Sequence, residues 1–98
     1  ADVAGVSAAY DGYRSADPQG LPVVDGFTAD QRFFIAFGQA WRRKQLPESM
    51  RSQLMTNGHA PGEYRADSVR NLDAWYAAFD VRPGQKLYLD PGVRIRIW

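Results

Sequence analysis

The chain contains no cysteine and one histidine, His59. Disulfides, thiolate metal sites and cysteine nucleophiles are therefore excluded. A catalytic zinc takes three protein ligands, and one imidazole with no H-E-x-x-H pattern cannot supply them. There is no G-x-S-x-G turn to present a serine. Neither sign of charge dominates: twelve basic and eleven acidic side chains leave a net +1, and the arginines are scattered, unlike the basic footprint of a nucleic-acid binder. No run approaches the roughly 20 apolar residues needed to cross a bilayer, and the N-terminus lacks a signal-peptide layout.

What the chain does have is apolar and aromatic substance. Over 98 residues, 45% are hydrophobic and 13% aromatic, enough for a packed core. Val3, Val6, Tyr10 and Tyr13 recur at steps of three and four within residues 2 to 16, which predicts a helix whose start has no side-chain cap. "DPQGLPVVDG" follows as a turn-rich connection. "TADQRFFIAFGQAWRRK" opens on a capping-box spacing, Thr28 to Gln31, and places Phe33, Phe34, Phe37, Ala40 and Trp41 on one face. The run Arg42, Arg43 and Lys44 reads as the solvated C-terminal end of that helix, where cations suit the dipole. Pro47 suits the first turn of a third helix in which Met50 and Leu54 align, with Gly58 placed to cap its end. Asn71 is placed to cap a fourth, carrying Leu72, Trp75, Tyr76 and Phe79. "VRIRIW" alternates apolar and cationic residues and predicts a strand-like tail.

Phe33, Phe37, Trp41, Trp75 and Phe79 read as core. The apolar faces outnumber what one small bundle needs, which implies a partner surface. Residues 57 to 65, "NGHAPGEYR", are the segment most suited to chemistry. Glycine and proline hold His59 on a rigid loop, with Arg65 six positions on. Both side chains can donate hydrogen bonds to an oxygen that gains negative charge. The same residues also fit an ordinary surface loop with a helix-capping histidine.

"NGHAPGEYR" closely resembles the pattern D-x-H-[SA]-P-x-x-[FY]-R of the neprilysin and endothelin-converting-enzyme family of zinc metallopeptidases. "GFTADQRFFIAFGQAW", "SVRNLDAWYAAF" and "LDPGVRIRIW" are similar to further family segments in the same order. "ADVAGVSAAYDGY" resembles the stretch that carries the third zinc ligand in E-x-x-x-D, with Asp2 on its aspartate and the glutamate falling before Ala1.

The resemblance implies a mainly α fold, the C-terminal helical part of a thermolysin-like zincin catalytic domain with a short strand-like tail. Residues 1 to 98 would form a single C-terminal fragment of that domain, cut just after the third zinc ligand. It implies that His59 stabilises the oxyanion, that Arg65 binds a substrate carbonyl, and that Asp2 orients a zinc-bound histidine. Zinc belongs to the parent, and none is expected in this fragment, which would be inactive alone. Asn57 stands where the family has aspartate; an amide orients an imidazole without stabilising its charge as a carboxylate would. Arg42, Val81 and Ile95 occupy positions that are cysteine in many animal members, which points to a bacterial type. The resemblance implies a peptide substrate and a periplasmic, secreted or membrane-anchored setting, while the exposed apolar helix faces predict self-association of the fragment. The alternative, from another class, is a free-standing helical interaction module that has lost the metal site.

Overall fold

A computed structural model describes residues 1–16 and 21–97. Among the described residues there are five helices: α1 (Asp2–Ala16), α2 (Ala29–Ala40), α3 (Pro47–Thr56), α4 (Gly62–Ala66) and α5 (Asp73–Phe79), with 3₁₀ turns at Asp67–Asn71 and Pro91–Val93. The mainly helical class expected from the sequence is therefore the one found. Among the described residues no helix is long and apolar enough to cross a membrane.

The core lies where α1, α2, the 3₁₀ turn after α4 and α5 converge. Val6, Phe34, Val69, Leu72, Trp75 and Tyr76 are buried there, and Phe33, Phe37 and Phe79 pack partly buried against them. Tyr10 stacks on Phe34 with ring centroids 5.5 Å apart, and Trp75 meets Tyr76 edge-on at 4.8 Å. Aromatic pairs of this geometry each add about 0.5–1.5 kcal/mol beyond the area they bury. The predicted capping box starts α2: Thr28 Oγ1 accepts from the Gln31 amide, and Gln31 Oε1 accepts from the Thr28 amide. The Gln31 side-chain amide also donates to the Ala78 carbonyl at 2.9 Å, which fixes α2 against the end of α5.

Several expectations are corrected. Helix α2 stops at Ala40, because its last turn tightens to i→i+3 bonds from Trp41 to Gly38 and from Arg42 to Gln39. Arg42, Arg43 and Lys44 thus follow the helix instead of ending it. Helix α3 begins at Pro47 as predicted but buries no residue, and its Leu54 is exposed. Gly58 follows the extended C-cap Asn57 without adopting a left-handed conformation. Asn71 does not cap α5; Leu72 takes that position with no side-chain bond.

The Asn71 side chain holds the tail instead, accepting from the Ile95 amide at 2.7 Å and donating to the Ser68 carbonyl. Among the described residues the tail forms no strand, and no ladder is present to receive it. Its alternation has another cause. Arg94 and Arg96 both turn to Asp73, Arg94 lies 3.6 Å over the Tyr76 ring, and Val93, Ile95 and Ile97 remain exposed.

Of the turn-rich connection, residues 17–20 lie outside the described residues, as does Trp98 of the tail. The remainder closes a tight turn, in which Val24 and Phe27 exchange backbone bonds and Asp25 and Gly26 take positive φ.

Candidate functional site

Loop 57–61 and the start of α4 build the site. Asn57 ends α3, and its Oδ1 accepts the backbone N–H of His59 at 2.9 Å. That bond fixes which end of the amide is oxygen. The same Oδ1 lies 3.1 Å from His59 Nδ1, so Nδ1 carries the proton and donates, since two lone pairs at that distance would repel. Asn57 thereby orients the imidazole, whose free edge faces solvent. Pro61 is buried behind the loop and leads into α4.

Arg65 sits on α4, not on the loop. Its Nε donates to Asp2 Oδ2 and its NH2 group to Asp2 Oδ1, both at 2.9 Å, a parallel two-bond pairing with the first turn of α1. The hydrogen bonds from Arg65 hold the Asp2 carboxyl below the usual carboxylate range, with partial burial acting in the opposite direction. The guanidinium also lies 3.9 Å from the centroid of the Trp41 ring.

Trp41 is therefore misplaced by the core reading: it is half-buried outside the main cluster, touches Phe37 edge-on, and acts as the platform for Arg65. Gly62 is the other residue that periodicity missed. A methyl group there would lie 2.6 Å from the Trp41 carbonyl oxygen, so only glycine lets α4 approach the end of α2 this closely. The cost of glycine at a helix start was the available sequence signal.

His59, Asn57, Arg65 and Trp41 line one cavity of about 360 Å³. Asp2 joins the group through Arg65. Among the described residues no three His, Cys, Asp or Glu side chains gather as a metal-holding group, so this chain's donor set does not by itself fit a zinc centre. What the arrangement offers is an oriented imidazole, with its Nε2 uncommitted, and a guanidinium donor on one cavity wall.

The sequence of residues 1–95 matches the family model described as peptidase family M13. The chain belongs to peptidase family M13. Among curated relatives, the neutral endopeptidase of Lactobacillus helveticus is 38% identical over 66 residues, which is 66% of this chain and 10% of that protein. Endothelin-converting enzyme 1 of Bos taurus is 32% identical over an alignment of 104 positions that covers all of this chain and 13% of that protein. The cryo-EM structure of the Mycobacterium tuberculosis zinc metalloprotease ZMP1 in its open state superposes with a TM-score of 0.86 at 40% identity, over 99% of this chain and 15% of that one. The M13 chain thus spans about a tenth to a seventh of the proteins it matches, and bacterial proteins are among them.

Proposed function

We propose that this chain is the C-terminal portion of the catalytic domain of a zinc metalloendopeptidase that hydrolyses peptide bonds in oligopeptides. The observation that carries the reading is the joint placement of His59 and Arg65 on one cavity, the first oriented by Asn57 and the second by Asp2. The metal and its ligands would come from the rest of the protein, and its chemistry, polarising the carbonyl and activating water, would be theirs.

This chain's own contribution is hydrogen bonding where charge develops. His59 Nε2 would donate to the oxyanion formed when the peptide carbonyl is attacked. With Nδ1–H committed to Asn57, Nε2 carries a proton only in the doubly protonated ring, so the donor is the imidazolium. Arg65 would bind a substrate backbone carbonyl through the part of its fork not used by Asp2. Each Asp2 oxygen retains a lone pair beyond its bond to Arg65, which leaves room to accept from a metal-bound histidine.

The test is the full-length protein. His59→Ala should lower kcat by about 10²–10³ with unchanged metal content, and Arg65→Ala should lower kcat/KM. Unaltered peptide cleavage in His59→Ala would defeat the assignment. The isolated chain should cleave nothing. It should also self-associate through the apolar groove between α1 and α2, lined by Ala9, Tyr13, Phe33, Ala36 and Phe37, and light scattering of a strict monomer at high concentration would contradict that.

A further inference from the structure

Two arginines border the cavity of His59 and Arg65 without joining its pairings. Arg42 and Arg43 follow Trp41, the C-cap of α2, and both line that cavity. A cationic run beyond a helix is ordinarily solvated and neutral in effect. Here it forms part of a concave wall.

Among the described residues neither Arg42 nor Arg43 has a side-chain hydrogen bond or an ion pair. The third arginine on the wall, Arg65, already has its charge met by Asp2. Among the described residues no aspartate or glutamate lines this cavity; Glu63 lines an adjoining one, which Arg42 and Arg43 also border. A concave surface with uncompensated charge of one sign focuses its field into the cavity. A guanidinium, with its planar fork of donors, matches the carboxylate, which is the common anionic group of a peptide.

We propose that Arg42 and Arg43 are specificity residues that bind a carboxylate of the peptide occupying this cavity, so that acidic peptides are preferred over neutral ones. This rests on the reading of the cavity as the peptide site. The carboxylate comes either from an Asp or Glu side chain or from the free C-terminus of the peptide, and the experiment separates the two.

The full-length protein is titrated with fluorescent peptides of one sequence that differ only as Glu against Gln at a single position, or as free acid against amide at the C-terminus. Anisotropy reads binding, and cleavage is followed in parallel. One of the two carboxylate-bearing arms should bind roughly 3- to 10-fold tighter than its neutral partner, the scale of one or two partly exposed ion pairs. That preference should fade near 1 M salt, where the screening length is about 3 Å. It should vanish in Arg42→Ala/Arg43→Ala and weaken in Arg42→Lys/Arg43→Lys, which keep the charge but lose the fork.

Equal binding of all peptides, or a preference that ignores salt, survives the alanine pair or is unchanged in the lysine pair, overturns the proposal. If the alanine pair does not fold, the salt series on the unsubstituted protein and the lysine pair separate the same outcomes. Failure of the peptidase reading would show differently, as peptides that bind with charge preference but are never cut.

Discussion

Arg65 and Asp2 lie 63 positions apart and meet through two parallel hydrogen bonds of 2.9 Å each, tying the first turn of α1 to α4. The pair sets the position of the guanidinium, because the Trp41 ring closes its other side. It also makes one carboxylate responsible for holding two elements together.

That arrangement gives a pH dependence of defined sign. Asp2 has a folded-state pKa lowered by Arg65 from the unfolded value of about 3.9. Its contribution to stability is complete above the unfolded value and is lost as pH falls through the lower folded one. Asp2→Asn should therefore destabilise the protein at pH 6 and lose that difference progressively below about pH 4. Urea midpoints of both proteins from pH 6 to 2 are the measurement, and a constant gap across that range would refute the coupling.

Asn57 is a second target. Its Oδ1 holds both the backbone N–H and the ring Nδ1 of His59. Asn57→Ala removes that acceptor and releases the ring, so kcat/KM of the full-length protein should fall by up to about 10²-fold. Asn57→Asp keeps an acceptor oxygen in the same place and should retain more activity than Asn57→Ala. Equal kcat/KM in wild type and Asn57→Ala would show that the orienting bonds do not matter to the reaction.

Gly62 is a third target. A side chain there meets the backbone carbonyl of Trp41, which cannot rotate away, so Gly62→Ala must push α4 from α2 and move Arg65 off the Trp41 ring. We expect a loss of about 1–3 kcal/mol. The Trp41 fluorescence environment should change with it, and an unaltered melting curve would show that α4 approaches α2 less tightly than this contact requires.

Arg94 anchors the tail. Its side chain is 7% exposed, lies over Tyr76, donates to the Leu89 carbonyl and pairs with Asp73. Arg94→Ala should cost about 1–3 kcal/mol. Arg94→Lys should recover little, since an ammonium cannot stack and bridge in one plane. Thermal unfolding of the two variants decides, and full recovery by lysine would reduce the contact to simple charge.

Much of the local structure was legible from residue order. Periodicity and the Thr28–Gln31 box located α1, α2 and α5, and the spacing of His59, Pro61 and Arg65 picked out the segment that borders the cavity. These features depend on neighbours a few positions apart, where backbone geometry and capping bonds leave a regular imprint. The arrangement of the site was not legible in that way. That Asp2 would meet Arg65, that Trp41 would support a cation instead of filling the core, and that the alternating tail would answer to Asp73, Tyr76 and Asn71 are facts of packing. Contacts between distant residues leave no period in the sequence. A strand pattern without a neighbouring ladder satisfies its polar groups with whatever side chains the fold brings alongside, and only the tertiary structure determines which those are.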